Sequence, residues 1–202
     1  MWVTHRLNMK IPVSVILWFV HLNSIGQSES TRNWVDTEVK YTDSKGNSVA
    51  FTHSFPRGGG VVQKDGEKYP YVVFWTRVFN QSDTPVELKV QFPEVAFFRS
   101  PESYLHIVLP KEKMSLDKVQ VFDYGLTDLQ AIFNDESNQL GVLQKKIQPN
   151  EDCIFYTAVF IHMEGSGSAR AKFEWKDKEL FYKIAIGSDG AVIPCGSLQF
   201  IN

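Results

Sequence analysis

The sequence predicts an all-β protein: an antiparallel β-sandwich of about nine or ten strands with at most one short helix. Three observations predict it. Short runs alternate apolar and polar side chains, which is the period of a strand with one face in a core and the other in water. Gly, Pro, Asn, Asp and Ser cluster between the runs, where turns need residues that tolerate unusual backbone angles. Helical spacing is confined to one stretch, which argues against alternating strand–helix units.

Taken along the chain, Val35/Thr37/Val39/Tyr41 and Val49/Phe51/His53/Phe55 each place one face inward. Tyr71 to Phe79 is β-branched and aromatic, and Val86 to Phe92 alternates without error, with Glu87, Lys89 and Gln91 on its wet face. The turn residues Asn80 to Pro85 lie between these two runs, so a hairpin is expected. Tyr104 to Leu109 and Lys118 to Phe122 read as strands. Cys153 to His162 is apolar on both faces and reads as a central strand. Thr127 to Asn134 is the helical stretch, with Thr127 and Gln130 spaced as a capping box and Leu129, Ile132 and Phe133 on one face. Ala171/Phe173/Trp175, the polar turn Lys176 to Glu179, and Leu180/Tyr182/Ile184/Ile186 form a terminal hairpin. Leu198 to Ile201 closes a sheet.

Residues 1–26 read as a secretory signal peptide. Lys10 precedes an apolar run from Ile11 to Leu22, and Ser24 and Gly26 supply the small side chains of a cleavage site between Gly26 and Gln27. The run is shorter than the ~20 residues of a spanning helix and contains Pro12 and His21, so no integral membrane anchor is expected after cleavage. Residues 27–202 are then a single sandwich domain, secreted or periplasmic. The whole chain carries 21 basic and 23 acidic residues. Removing the leader takes away Arg6 and Lys10 and no acid, which makes the remainder more acidic. Such a balance excludes the broad positive field that gathers nucleic acid. In an oxidising compartment the two cysteines, Cys153 and Cys195, are expected to pair. That bridge would close a loop of about 42 residues, worth roughly 3–4 kcal/mol.

The leader, a short apolar run ending Ser-Ile-Gly before Gln, resembles those of secreted proteins from Bacteroidota-type bacteria. The segment Thr76 to Val90 resembles a strand-turn-strand unit of bacterial immunoglobulin-like domains. Ile147-Gln-Pro-Asn-Glu151 is similar to their Pro-Gly-Glu turn, with Asn150 standing where Gly is usual. The resemblance implies an immunoglobulin-like sandwich and says nothing of activity, which in such domains is set by the loops. The antibody pattern of a Trp between paired cysteines is not reproduced, because Trp175 stands in too short an interval.

No catalytic motif is present. Gly58-Gly-Gly60 is followed by Val61 and Val62, where a phosphate loop needs Lys and a hydroxyl, so it reads as a flexible inter-strand loop. Gly165-Ser-Gly-Ser168 lacks the spacing of a nucleophile elbow. His162-Met-Glu164 with Pro194-Cys195 lacks the second cysteine of a zinc deaminase. His53, His106 and His162 show no metal-ligand spacing; His53, on an apolar strand face, reads as a core or rim histidine. Glu94, Glu102, Asp123, Asp128 and Glu136 fall in or near loops, where a glycosidase would need two carboxylates across a cleft. Asn80-Gln81-Ser82 matches a glycosylation sequon.

Aromatic rings are the remaining binding signal, since they stack on sugar faces. Trp75 and Trp175 lie in apolar strands and read as core. Trp34, Phe97, Phe98 and Tyr104 are the surface candidates, and the stretch Phe92 to Pro101 could present a patch to a protein. The expectation is a non-enzymatic exported module, without cofactor or metal, whose partner is an envelope or extracellular protein. Polysaccharide capture is the alternative, and a small secreted hydrolase the third.

Overall fold

The computed structural model describes residues 34–98, 102–163 and 167–201. The leader and its cleavage point lie outside the described residues, as do Arg99 to Pro101 and Glu164 to Ser166. Among the described residues twelve strands form two antiparallel sheets. The first sheet contains β1 (Val35–Thr42), β2 (Ser48–Ser54), β3 (Arg57–Lys64), β4 (Glu67–Asn80), β6 (Ala96–Phe97), β7 (Tyr104–Val108) and β9 (Asp152–His162). Its order is β1-β2-β4-β9-β7-β6, with β3 also paired to β4. The second contains β5 (Val86–Gln91), β8 (Val142–Ile147), β10 (Ala169–Lys176), β11 (Glu179–Ile186) and β12 (Asp189–Phe200), in the order β10-β11-β12-β5-β8. The all-β sandwich expected from alternation is therefore present.

The main core lies between the sheets. Phe51, Phe74, Val78, Leu105, Phe155 and Val159 of the first sheet meet Leu88, Val90, Phe173, Tyr182 and Leu198 of the second. A second core covers the opposite face of the first sheet, where Val73, Trp75, Tyr156 and Phe160 are roofed by Met114, Val119, Tyr124, Leu129 and Phe133. The roof comes from the excursion between β7 and β8, which holds two 3-10 turns (Leu116–Lys118 and Phe122–Gly125), the helix Leu129–Asn134 and the single turn Glu136–Gln139. Because β9 is buried on both faces, it is apolar on both faces, as its sequence indicated.

Several expectations are corrected. The strands β4 and β5 do not form a hairpin: β4 pairs with β2, β3 and β9, and β5 pairs with β12 and β8. Their connection crosses from one sheet to the other. It is folded on itself by Asn80, whose Nδ2 donates to Thr84 O and Ile147 O, and by Ser82, whose hydroxyl donates to Asn80 Oδ1. Asn80 is wholly buried, so the sequon is not an exposed acceptor. Lys118 to Phe122 is no strand; Val119 packs into the second core as part of the roof and the backbone turns. Gly58 to Gly60 is no loop, because it belongs to β3. The helix is capped by Asp128, whose side chain accepts from Ala131 N, and not by Thr127. Gln130, assigned to the capping box, instead bonds both main-chain groups of Gln63 at 2.9 and 2.8 Å.

The disulfide is also corrected: Cys153 and Cys195 are both free and buried. They line the same core from opposite sheets, Cys153 on β9 and Cys195 on β12. The Cys195 thiol donates to Leu180 O at 3.4 Å within its own sheet. Burial pushes that thiol up to about 12, so it stays protonated and unreactive.

Candidate functional site

A run of three left-handed residues follows Phe122. Asp123 (φ 49, ψ 28) and Tyr124 (φ 56, ψ 30) are left-handed, Gly125 follows at φ 72, and Leu126 N closes the turn on Asp123 O at 3.1 Å. A left-handed conformation costs a side-chain-bearing residue roughly 1–2 kcal/mol, because Cβ crowds the next carbonyl. Here the surroundings supply the compensation. Tyr124 is fully buried, donates its hydroxyl to Phe55 O at 2.6 Å, and accepts at its carbonyl from the Tyr156 hydroxyl at 2.7 Å. The Tyr71 hydroxyl donates to Asp123 Oδ2 at 2.9 Å. Arg57 donates to the carbonyls of Gln120 and Val121.

Tyr71 reaches the turn because β3 carries no side chain where its ring crosses. A Cβ on Gly60 would stand 2.6 Å from Tyr71 Cε1. Asp123 itself is buried, and its Oδ1 has no hydrogen-bond partner among the described residues. Burial raises its carboxyl above the ordinary value, opposed by the Tyr71 hydrogen bond and the Arg57 charge.

What the turn presents is apolar. Phe122 is 71% exposed and Val121 49%, the residues immediately before the left-handed pair. Beside them the Arg57 guanidinium lies 3.7 Å from the centre of the Trp34 ring, and Trp34 Nε1 donates to Gln120 Oε1 at 3.0 Å. Exposed Val61 follows Gly60 on β3. Of the aromatic candidates read from the sequence, Trp34 belongs to this surface. Phe122 was missed there because Lys118 to Phe122 read as a strand. The signal that could have found it is Asp123-Tyr-Gly125, whose Asp and Gly tolerate left-handed angles.

Phe97, Phe98 and Tyr104 lie toward the β6 edge of the first sheet, on β6, just after it and on β7, whereas the turn is held by Arg57 of β3 and Tyr71 of β4. Phe98 turns into the inter-sheet core and is corrected as a surface candidate. Phe97 is 63% exposed and directly opposite Tyr104. Tyr104 in turn stands opposite His162 and stacks on it, with ring centres 4.5 Å apart and planes 20° apart. Tyr69, buried behind them, approaches the Tyr104 hydroxyl at 3.4 Å. His106 faces Glu94 O through Nδ1 at 3.0 Å, and a carbonyl accepts only, so Nδ1 carries the proton and Nε2 the lone pair. Burial holds His106 below its ordinary pKa.

The other candidates do not converge. His53 lies in the inter-sheet core, stacked between Phe51 and Phe173, whereas His106 and His162 lie on the opposite face of the sheet. Among the described residues no group of three or more His, Cys, Asp or Glu side chains is placed to hold a metal ion. Asp128 is occupied as a helix cap. Trp75 is buried, and Trp175, half-buried, donates Nε1 to Leu198 O, both as expected of core residues. No helix among the described residues is long and apolar enough to cross a membrane. The chain matches no protein-family model and no curated protein, so the functional assignment rests on this geometry.

Proposed function

We propose that this protein is a non-enzymatic binding module of the cell envelope or extracellular space, exported by the leader in residues 1–26, and that it docks a protein partner on the Phe122 turn. The observation that carries this reading is an over-determined, left-handed turn whose product is a Phe held 71% exposed. Strain of that kind persists only where the surroundings impose it, and it clusters at functional positions. Phe122 adds nothing to either core, so folding alone gives no reason for the display. Trp, Arg and aromatic side chains on one surface are also the composition of interface hot spots. The test is a photo-crosslinking amino acid at position 122, in the native host, beside the same label at Lys176 on the far sheet. A discrete product at 122, absent at 176 and lost when Trp34 and Val121 become Ala, is expected. Phe122→Ala should abolish the contact and leave the melting temperature within about 2 °C, as surface changes do. Equal labelling at both positions would defeat the proposal.

A second reading, polysaccharide capture, is favoured by one observation: Phe97, Tyr104 and His162 stand on three adjacent strands, with Phe97 open to solvent. An exposed ring flanked by a hydroxyl and an imidazole suits a sugar face and its hydroxyls. A glycan array of the purified protein tests it. Selective binding that is lost in Phe97→Ala is the expected result, and a blank array removes the reading.

A further inference from the structure

The outer face of the second sheet carries a surplus of positive charge that the whole chain does not. Outward positions on β10 and β11 hold Arg170, Lys172, Lys176 and Lys183 against Glu174 and Glu179, in a protein with 21 basic and 23 acidic residues. The register explains how the surplus is arranged. Lys172 stands directly opposite Lys183, and like charges in that position repel. Glu174 is shared between them, at 3.2 Å from Lys172 Nζ and 2.7 Å from Lys183 Nζ. One carboxylate thus serves two ammonium groups. The next rung holds Arg170, Ala185 and Gly190, with the Arg170 guanidinium 3.5 Å from Asp36, on β1 of the first sheet.

Beside these cations is a hollow of about 410 Å³, lined by the second sheet and, on one side, by Asp36 and Thr37 of β1, the Asp36 carboxylate being the one paired with Arg170. Its outward positions include Ala185 and Gly190, which are too small to fill it, and Val192, which is 58% exposed and stands opposite Lys183.

We infer that this hollow binds an acidic sugar unit of a polysaccharide, with its carboxylate or sulfate on Lys172 and Lys183 and its apolar ring face on Ala185, Gly190 and Val192. The width favours this occupant. The cations that line the hollow, Arg170, Lys172 and Lys183, span only two rungs, the reach of a sugar unit or two, whereas a nucleic-acid backbone or an anionic membrane needs a broad positive field that an acidic chain lacks. A phosphate-only ligand would make no use of the small-residue floor. The site is separate from the Phe122 turn and from the Phe97 row, so its test does not depend on either.

The experiment is calorimetric titration of the purified protein with a galacturonate hexamer, a neutral maltohexaose and inorganic polyphosphate. Binding of the galacturonate hexamer, weakening with salt, is expected, with no heat from maltohexaose. The double variant Lys172→Gln/Lys183→Gln and, separately, Val192→Asp should each weaken that binding at least tenfold. All three positions are on the solvent face, and unchanged circular-dichroism melts confirm that the variants fold. Phe97→Ala and Phe122→Ala should bind the hexamer as the parent does. Absence of binding, or equal binding by the double variant, overturns the inference. Polyphosphate binding as tight as that of the hexamer overturns the sugar assignment.

Discussion

His53 is a histidine for which the fold makes no provision to carry charge. It is 1% exposed, its ring lies 6.0 Å from Phe51 and 6.1 Å from Phe173 in near-parallel stacks, and its Nε2 has no hydrogen-bond partner. Burial, and secondarily the Lys172 charge, push its pKa down to about 3. Below the ordinary value of 6.5 the unfolded chain therefore binds a proton that the folded chain refuses, so stability falls as pH falls from 6.5 toward 3. The linkage amounts to about 2 kcal/mol between neutral pH and pH 5. Asp123 acts in the opposite sense: its raised carboxyl makes stability fall as pH rises just above its ordinary value. Comparing variants separates the two. His53→Phe, which extends the ring stack, should remove about 2 kcal/mol of acid sensitivity in urea melts at pH 7 and pH 5; an unchanged difference would show that His53 charges in place. The apolar strand face marked His53 as a core histidine. Nothing local marked Phe98 as buried and Phe97 as exposed, because adjacent strand residues differ only in which face the sheet turns inward.

At the scale of elements, β3 shows how a glycine run can be a strand and not a hinge. Gly58 has φ 135, a conformation closed to side chains, and a Cβ there would stand 2.6 Å from Tyr71 O. Gly60 lies where the Tyr71 ring crosses on its way to Asp123. Gly60→Ala should therefore cost about 1–3 kcal/mol through overpacking. Most of that loss should vanish in a Tyr71→Ala background, and a double-mutant cycle by urea denaturation measures the coupling. Additive losses would mean that the clash lies elsewhere. The free edges are guarded by equally specific means. The Gln130 amide covers the main chain of Gln63 on β3. On β8, Lys145 stands opposite wholly buried Leu88, so the edge strand turns a charge toward the core side, which discourages pairing with another chain. Alternation located β1, β2, β4, β5, β10 and β11. It missed β3, whose glycines erase the pattern, β8, whose inward lysine breaks it, and β12 before Leu198; β12 runs from Asp189 to Phe200 between β11 and β5, so it does not close the sheet.

For the whole molecule, the error over β4 and β5 is the instructive one. β5 alternates cleanly, β4 is β-branched and aromatic, and a turn separates them, yet they face each other across the core in place of lying side by side. An apolar face is satisfied equally well whether the next strand lies beside it or across the core, so pattern alone does not select the partner. The same applies to the second core. Met114, Val119, Tyr124, Leu129 and Phe133 are spread through irregular chain with no single period, and only packing on β4 and β9 makes them one layer. The Phe122 surface depends on that layer, since Tyr124 is anchored in it. By itself the sequence determined that the protein is all-β, which strand faces are wet, and that β9 is central, because those follow from the period of side chains along one strand. Tertiary structure alone decided which strands pair, that the two thiols stay apart, and which aromatic rings reach solvent, because each depends on what lies across a sheet or core from residues distant in the chain.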